Sequence, residues 1–307
     1  MNNTIYDIII IGGGCAGLTA AVYARRAGKT VLLLENNSFG GQISLTDGVE
    51  NFPGFMNISG AELSDRLHSQ ASALGTETVF DAATGIQENG EYKTVSAEYG
   101  KYVGRAVIIA SGLRHRKTGL ANEEALIGKG VSYCAVCDGA FYRNKKVAVL
   151  GGGNTALGDA AFLADICESV TLIHRREDFR ADKSTISRLK EKNNINYELN
   201  SVLTNINGEK SVCSVTVENT KTGIKKEIPV SGLFVAIGQL PQNEAYKNIV
   251  ELDEYGYIKA GEDCRTSRAG IFAAGDCRTK ELRQLVTAAA DGAIAATNAC
   301  SYADGVE

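Results

Sequence analysis

Two cysteines separated by two residues are the part of this chain whose residue types and spacing point most directly to chemistry. They lie in 132-SYCAVCDGAFY-142 as Cys134 and Cys137, and Asp138 follows immediately. A CxxC pair binds a metal ion or interconverts between dithiol and disulfide. Zinc would need a second CxxC or paired histidines, and the sequence places neither near this pair. The spacing therefore favours redox chemistry.

The composition indicates an ordinary soluble protein large enough for two domains. The chain has 307 residues, 44% hydrophobic and 22% charged, with a formal net charge of −4 and no basic block, which argues against nucleic-acid binding. The isoleucines at 8–11 follow Asp7 and are too few for a signal peptide or for the ~20 apolar residues of a membrane span. We therefore expect a cytoplasmic protein, with no membrane partner and with the other cysteines as buried or incidental thiols.

A strand, a glycine-rich turn and a helix open the chain. Residues 5–11 are apolar and β-branched, 12-GGGCAG-17 matches GxGxxG, residues 18–28 predict a helix, and 30-TVLLLE-35 predicts a second strand. In a Rossmann unit such glycines let a pyrophosphate approach the helix N-terminus, and a terminal acid accepts a hydrogen bond from a ribose hydroxyl. The sequence predicts a site for FAD or NAD made by Gly12, Gly14, Cys15, Ala16, Gly17 and Glu35.

The same unit recurs in the middle of the chain with a different ending. Residues 146–166 predict a strand, the turn Gly151-x-Gly153-x-x-Ala156 and a helix, and 169-SVTLIH-174 predicts the next strand. Instead of an acid, 174-HRREDFRADK-183 follows, with His174, Arg175, Arg176 and Arg180. An acid would repel a 2′-phosphate, whereas arginines pair with one, so this site is predicted to bind NADPH. The alternative is a solvated basic surface without a ligand.

The C-terminal region helps to choose the first dinucleotide. The stretch 270-GIFAAGDC-277 predicts a strand ending in Gly-Asp, and residues 283–299 predict an alanine-rich helix. Asp276 could accept hydrogen bonds from a flavin ribityl chain, and the helix N-terminus could face the flavin N1/C2 oxygen, where charge develops on reduction. These features favour FAD. The alternative is a strand end and a packed helix with no ligand.

Several motifs together resemble one family, the bacterial-type, low-molecular-weight thioredoxin reductases. Over about residues 5 to 300 the motifs occur in the family's order: GGGCAGLTAA, GGQI, VENFPG, CAVCDG, GGGNTA, HRREDFRADK, GLFVAIGQLP and AAGDC followed by RQ. The resemblance implies an α/β fold of two Rossmann-like, three-layer ββα domains. An FAD domain of residues 1–116 and 244–307 would contain an inserted NADPH domain, residues 117–243, carrying the CxxC. It also implies a homodimer and a thioredoxin substrate.

The resemblance also assigns roles to individual residues. It implies that Cys137 faces the flavin, that Cys134 attacks the protein substrate, and that Asp138 transfers a proton to a departing thiolate. It adds FAD contacts at Gly40, Gly41, Gln42, Asn51, Asp276, Arg283 and Gln284. It implies NADPH contacts at Gly151, Gly153, Asn154, Thr155, His174, Arg175, Arg176, Arg180, Ile237 and Gly238. The family's glycine-proline motif appears here as 119-GLANEE-124 without proline, a departure that we expect to affect only a loop.

The expected reaction passes two electrons from NADPH to FAD, then to the disulfide and to thioredoxin. The resemblance implies that the inserted domain rotates between half-reactions, with hinges near 113–119 and 238–244. Alternatives are a reductase of another redoxin or of a peroxidase, and a ferredoxin-linked flavin thioredoxin reductase, although such relatives tend to lose the GxGxxA and arginine motifs. A ferredoxin–NADP reductase of similar fold would lack the CxxC. A nucleotide-binding module without turnover would leave the dithiol without a role.

Overall fold

The computed structural model describes residues 4–45 and 48–306, and within these the chain forms two compact units. The first unit comprises residues 4–45, 51–114 and 240–306, and the second comprises residues 48–50 and 115–239. The ends of the expected flavin domain at residues 1 and 307 lie outside the described residues.

The first stretch of the chain alternates strands and helices. Its elements are β1 (Ile5–Ile11), α1 (Cys15–Arg26), β2 (Val31–Glu35), α2 (Gly60–Ala73), β3 (Glu77–Phe80), β4 (Ala83–Asn89), β5 (Tyr92–Ala97), β6 (Lys101–Ile109) and β7 (Leu113–His115). Helix α1 begins at Cys15, earlier than the predicted Leu18, because the extended Gly14 is its N-cap. It ends before Gly28, whose φ of +79° is left-handed and does not continue a helix.

The strands of this stretch form one sheet in the order β3-β2-β1-β6-β5-β4. Strands β1, β2, β3 and β6 are parallel, with Ile9 of β1 opposite Leu32 and Val107, whereas β4 and β5 are antiparallel. Strand β1 is almost continuously apolar because both of its faces are buried, as is typical of a central parallel strand.

The second stretch repeats the alternation and adds an antiparallel layer. Its elements are β8 (Val131–Ser132), α3 (Ala135–Asp138), β9 (Lys146–Leu150), α4 (Asn154–Ala164), β10 (Ser169–Ile173), α5 (Lys183–Lys190), β11 (Ile195–Glu198), β12 (Ser201–Asn207), β13 (Ser214–Asn219), β14 (Lys225–Pro229), β15 (Gly232–Val235) and β16 (Gln239–Pro241). The parallel sheet has the order β11-β10-β9-β15-β8, and β12, β13 and β14 form a separate antiparallel sheet.

Three layers pack around two cores in the second unit. One face of the parallel sheet, with Val149 and Phe234, packs on the apolar side of α4 around Leu157. The opposite face, with Leu233, packs on Val215 and other apolar residues of the antiparallel sheet. Alternate side chains of each strand point to opposite faces, so a parallel strand covered on both sides supplies both cores. This is the expected ββα arrangement.

The last stretch returns to the first unit. It contains β17 (Ile271–Ala273), which lies parallel to the second half of β6, and the long helix α6 (Leu285–Ala303). Helices α1 and α6 approach closely at Gly292, where an added Cβ would lie 2.2 Å from the carbonyl oxygen of Ala16. Small residues are therefore required at this crossing, which explains the alanine-rich sequence of α6.

The predicted fold class is confirmed: each unit has a sheet with a parallel core that helices cover, with strand–glycine turn–helix motifs at Gly12–Gly14 and Gly151–Gly153. The chain crosses between the units at β7 and β16, which pair with each other as a two-stranded sheet. Among the helices in residues 4–45 and 48–306, none is both long and apolar enough to span a membrane.

Candidate active site

The CxxC pair is closed as a disulfide between Cys134 and Cys137. Cys134 is the extended N-cap of the short helix α3, and its sulfur accepts a hydrogen bond from the backbone N–H of Cys137 at 3.2 Å. The backbone N–H of Asp138 donates to the carbonyl oxygen of Cys134 at 3.1 Å. Among the described residues, no cluster of three or more histidine, cysteine and acidic side chains is suited to hold a metal ion. The local geometry is that of a thiol–disulfide centre.

Ser132, to which the sequence assigned no role, connects Asp138 to Cys134. Its hydroxyl donates to Oδ2 of Asp138 at 2.6 Å and accepts from the backbone N–H of Cys134 at 3.1 Å. Ser132 is only 4% exposed. A serine two residues before a CxxC is too common a residue for sequence reasoning to single out, and only the folded α3 turn brings Asp138 back to it.

A second network links the dithiol segment to residues near the crossing strands. The ring of Tyr133 stacks on His115 with centroids 4.8 Å apart, and its hydroxyl donates to Glu123 at 2.8 Å. Burial lowers the pKa of His115 to about 4, so the imidazole is neutral at pH 7. Glu123 is 1% exposed and also accepts from the backbone N–H groups of Thr118 and Gly119. Glu123 thus ties the segment 119–124 to Tyr133, the residue before Cys134 in the sequence.

The first glycine turn has the geometry that a pyrophosphate site requires. Gly12 has a φ of +107°, and an added Cβ would lie 2.3 Å from the carbonyl oxygen of Ala110. An added Cβ on Gly17 would lie 1.9 Å from the carbonyl oxygen of Gly12, whereas Gly14 borders open space. The buried carboxylate of Glu35 accepts from the backbone N–H of Gly13 at 2.7 Å, so the predicted ribose acceptor also fixes the turn.

The other predicted flavin contacts of the first unit lie near this turn. Gly40 forms a bridge with Gly14, and its backbone N–H donates to the carbonyl oxygen of Gly13 at 2.8 Å. Gly41 lies nearby, because its added Cβ would be 3.5 Å from Cα of Gly14. The side chain of Gln42 donates to the carbonyl oxygen of Leu113 at 3.2 Å.

Residues at the start of α6 form a further group. Asn51 donates to the side chain of Gln284 at 3.0 Å, and Gln284 forms a reciprocal capping box with Thr287. The thiol of Cys15 contacts the carbonyl oxygen of Leu285 at 3.4 Å. Burial raises the pKa of Cys15 to about 11, so it is a neutral thiol at pH 7. The first glycine turn and the N-terminus of α6 therefore lie side by side.

Asp276 has a buried side-chain oxygen that a flavin could satisfy. Its Oδ1 is a buried oxygen with no hydrogen-bond partner among the described residues. Such an atom is costly unless a donor is supplied, and the hydroxyl groups of a ribityl chain are donors. Arg283 lies over the ring of Tyr257 at 4.2 Å, and its Nε contacts the carbonyl oxygen of Asp276 at 3.5 Å. Asp276 and its neighbours therefore fit the ribityl chain of the predicted flavin.

A buried ion cluster that the sequence did not indicate holds the Asp276 turn. Asp291 of α6 accepts two hydrogen bonds of 2.8 Å from Arg278 and one of 2.9 Å from Lys280. The same carboxylate accepts from the backbone N–H of Gly275 at 2.9 Å. Asp291 is on a helix and its partners are on a loop, so local sequence patterns do not reveal the pairing. The cluster fixes the backbone on both sides of Asp276.

The second glycine turn is equally crowded. Gly151 has a φ of +153°, and an added Cβ would lie 2.3 Å from the carbonyl oxygen of Ala236. Gly153 forms a bridge with Arg180, so the turn and the arginine segment are adjacent. Asn154 makes two hydrogen bonds with Asp182, while Thr155 is exposed at the start of α4.

The residues after β10 divide into a buried histidine and exposed arginines. His174 is 8% exposed and its Nε2 donates to the carbonyl oxygen of Asp178 at 3.1 Å. Burial, followed by the neighbouring arginines, lowers the pKa of His174, so the ring is neutral and holds the loop. The guanidinium groups of Arg175, Arg176 and Arg180 are exposed, and within residues 4–45 and 48–306 the ion pairs of the structure include none of them. Three cationic groups are thus available to an anion.

Ile237 and Gly238 lie just before the second crossing. Ile237 packs partly against the core beneath the antiparallel sheet. Gly238 has a φ of +113°, and its carbonyl oxygen accepts from the backbone N–H of Arg116 at 3.0 Å. The other cysteines are buried at positions 15, 167, 264, 277 and 300, whereas Cys213 is exposed.

Most of the chain, from β1 to α6, matches one known protein family. The model of the pyridine nucleotide-disulphide oxidoreductases matches residues 6–292 of the chain. The chain belongs to this family. As a pyridine nucleotide-disulphide oxidoreductase it uses a flavin and a pyridine nucleotide, which accounts for two glycine turns and one disulfide in a single chain.

Relatives of this oxidoreductase have similar lengths. It is 43% identical to the thioredoxin reductase of Listeria innocua over 301 residues, which cover 98% of this chain and 94% of that protein. The crystal structure of thioredoxin reductase from Streptococcus pyogenes matches with a TM-score of 0.93 and 38% identity, covering 99% of this chain and 100% of that one. A more distant match is a ferredoxin-flavin thioredoxin reductase from Clostridium acetobutylicum, with a TM-score of 0.53, 28% identity and 97% of both chains covered.

Proposed function

We propose that this oxidoreductase is an NADPH-dependent thioredoxin reductase that uses FAD. When bound, FAD passes two electrons from NADPH to the Cys134–Cys137 disulfide, and the resulting dithiol reduces oxidised thioredoxin. The observation that carries the proposal is that one compact unit holds both the disulfide and a glycine turn beside unpaired arginines. Its relatives in Listeria and Streptococcus are thioredoxin reductases, which supports the choice of substrate.

The first unit would hold FAD. The turn at Gly12–Gly14 would receive the pyrophosphate, with Glu35 at the ribose and Asp276 at the ribityl chain. The N-terminus of α6 at Leu285 would stabilise negative charge on the flavin ring. The orphaned Oδ1 of Asp276 supports this orientation, because it needs a donor that the described protein residues do not supply.

The second unit would select NADPH over NADH. The strand β10 ends without an acid, and the exposed Arg175, Arg176 and Arg180 supply positive charge where a 2′-phosphate would lie. The bridge between Gly153 and Arg180 supports one continuous site for the pyrophosphate and the 2′-phosphate. His174 would contribute by fixing the loop, not by direct charge.

The surroundings of the dithiol support a protein substrate. Val136, between the two cysteines, is 48% exposed, and Phe141 is 39% exposed. Exposed apolar side chains beside a reactive centre are suited to a protein partner. We assign Cys134 to attack on the partner, Cys137 to exchange with the flavin and Asp138 to proton transfer, as the family pattern implies.

We expect the two units to change their relative orientation between half-reactions, with β7 and β16 as the hinge. The nicotinamide and Cys137 would then reach the flavin in turn. A disulfide or chemical crosslink between the units should abolish turnover and leave FAD content unchanged. A crosslinked enzyme with full turnover would disprove the rotation. We also expect a homodimer in the cytoplasm, and analytical ultracentrifugation tests the dimer.

The second candidate donor is ferredoxin. The chain retains both the glycine turn before α4 and the arginines that such relatives tend to lose, and it is less similar to the ferredoxin-linked relative than to the thioredoxin reductases. These observations favour NADPH. A different redoxin or a peroxidase as the final acceptor remains the alternative on the substrate side.

Anaerobic titration of the FAD-loaded protein tests the function. Because FAD and the Cys134–Cys137 disulfide each accept two electrons, flavin absorbance should bleach fully with about two equivalents of NADPH and respond only weakly to NADH. Oxidised thioredoxin should then restore the oxidised spectrum. Bleaching by neither nucleotide would overturn the NADPH assignment and point to ferredoxin, whereas bleaching without reoxidation by thioredoxin would overturn the substrate.

A further inference from the structure

Ser132 occupies a position where its hydroxyl has to be hydrogen-bonded. It is the last residue of β8, at the edge of the parallel sheet, where it lies opposite Phe234 of β15. At 4% exposure the hydroxyl has almost no access to water. A buried hydroxyl without a hydrogen-bond partner is strongly unfavourable. The folded protein therefore has to supply partners for the Oγ of Ser132.

The partners of this hydroxyl are both parts of the dithiol centre. The Oγ lies 2.6 Å from Oδ2 of Asp138 and 3.3 Å from the carbonyl oxygen of Cys134. A hydroxyl has one proton, and the shorter contact to Asp138 is the stronger hydrogen bond. A lone pair of the same oxygen accepts from the N–H of Cys134 at 3.1 Å. Ser132 therefore joins the acid directly to the backbone of the cysteine.

We propose that Ser132 is a positioning residue for the thiol–disulfide step, holding the Asp138 carboxyl in a fixed relation to the Cys134–Cys137 pair. The inference rests on the proposed dithiol function, in which Asp138 carries a proton to the departing sulfur. Without Ser132, the Oδ2 of Asp138 loses its 2.6 Å partner and the amide of Cys134 loses its acceptor. The carboxyl would then lose the contact that ties it to the backbone of Cys134.

Ser132 would assist the reduction of a substrate disulfide by the Cys134–Cys137 dithiol. The Cys134 sulfur attacks one sulfur of a substrate disulfide, and the broken S–S bond leaves its electron pair on the other substrate sulfur. The Cys137 sulfur then attacks Cys134, the enzyme disulfide re-forms, and the first substrate sulfur departs with the second electron pair. The two thiol protons of the enzyme end on the two substrate sulfurs, so two electrons and two protons leave together. Asp138 relays a proton to a leaving sulfur.

A matched pair of variants separates the hydroxyl from the shape of the side chain. Ser132→Thr keeps the hydroxyl and adds a methyl group. Ser132→Val has the same shape as the threonine variant, with a methyl group in place of the hydroxyl. FAD-loaded protein is reduced with dithiothreitol, freed of excess and mixed with bis(hydroxyethyl) disulfide, and re-formation of the Cys134–Cys137 disulfide is followed by mass after an acid quench and alkylation. General acid catalysis contributes ~10²–10⁴-fold, so a misplaced acid should slow the Val variant about tenfold. The Thr variant should react within about twofold of the parent.

A small aromatic disulfide, used in place of the aliphatic one, is the control for whether the leaving sulfur needs a proton. An aromatic thiolate leaves readily without a proton, so dithiobis(nitrobenzoate) should react with the Val variant within about twofold of the parent rate. Equal slowing with both disulfides, or equal rates for Thr and Val with the aliphatic disulfide, would overturn the proposal. Should the Val variant not fold, Ser132→Ala takes its place with the same expected rates.

The dependence on Asp138 is tested with a double variant. Ser132→Ala should slow the aliphatic reaction in the parent and have no further effect in an Asp138→Asn background, because both changes remove the same function. Additive losses would overturn the proposed route through Asp138. None of these reactions requires NADPH or thioredoxin. A parent protein that reacts with the small disulfide but is not bleached by NADPH would therefore refute the proposed donor and leave the role of Ser132 intact.

Discussion

His174 fills the space behind Gly152, where an added Cβ would lie 2.2 Å from the imidazole ring. Gly152→Ala should therefore displace the ring that holds the loop carrying the arginines. Overpacking costs ~1–3 kcal/mol, and if NADP⁺ binding must restore the displaced loop its affinity should fall by about 5- to 150-fold, measured by titration calorimetry. Gly158→Ala on the exposed side of α4, where an added Cβ has no neighbour within 4 Å, is the control and should bind normally. Unchanged affinity in the Gly152 variant would contradict the tight packing.

The exposed arginines predict a change in nucleotide preference. Hydrogen bonds to charged groups contribute ~1.5–3 kcal/mol each, so Arg175→Ala combined with Arg180→Ala should weaken NADP⁺ binding by about 10²- to 10⁴-fold. NAD⁺, which lacks the 2′-phosphate, should change by less than about threefold. Arg188→Ala, an exposed arginine of α5, is the matched control. Equal losses for the two nucleotides would indicate that the loop has been damaged instead.

Asp276→Asn should separate flavin binding from stability. Burial raises the pKa of Asp276, with Lys280 and Arg283 acting in the opposite direction. Because the folded-state pKa of Asp276 is raised, the protonated carboxyl stabilises the folded protein. This stabilisation is fully present below the ordinary pKa of 3.8 and is lost as the pH rises through the raised pKa. Removing the charge should stabilise the flavin-free protein by about 1 kcal/mol at neutral pH and weaken FAD binding.

Thermal unfolding of the flavin-free parent and the Asn variant between about pH 4 and 8 measures this effect. The difference in melting temperature should shrink towards the acid end, where Asp276 is protonated. Equilibrium dialysis measures FAD retention. A variant that binds FAD as tightly as the parent would show that the negative charge of Asp276 does not contribute to FAD binding.

Asp291 is predicted to be the most costly carboxylate to remove from the first unit. Its loss leaves the buried Lys280 without its ion-pair partner and leaves Arg278 with only the exposed Glu262 at 3.4 Å, and breaking a buried pair costs ~3–5 kcal/mol. Asp291→Asn should lower the free energy of unfolding in urea at neutral pH by about that amount. Asp304→Asn, which removes the exposed partner of Lys29, should cost less than about 1 kcal/mol. Similar losses for both would contradict the buried cluster.

The same carboxylate has a defined pH dependence. Burial alone would raise its pKa, but the hydrogen bonds from Arg278 and Lys280 outweigh burial and lower the pKa of Asp291 below 3.8. Because the folded-state pKa is lowered, the stabilisation is present above the ordinary value and is lost as the pH falls through the lowered value. The parent and the Asn variant should therefore differ fully at pH 7 and converge only in strong acid.

The sequence by itself determined the elements and the chemistry that depend on neighbouring residues. The apolar run of β1, the glycines at 12–17 and the CxxC spacing each act within a few residues, so their patterns predicted a strand, a nucleotide turn and a redox pair. The arginines that stand in place of an acid after β10 predicted NADPH as the dinucleotide of the second turn for the same reason. Helix ends were less precise, because α1 begins within the glycine motif itself.

Only the tertiary structure decided which side chains meet. Ser132 and Asp138 are brought together by a turn, Glu123 and Tyr133 by the packing of a loop, and Asp291 and Arg278 by docking of α6 on the Asp276 turn. Likewise, burial made His174 a neutral support for the loop and not an exposed cation. These pairings depend on where elements pack and on which polar atoms lose water. Local residue patterns do not contain that information, because the free energy of a buried polar group depends on partners supplied by the whole fold.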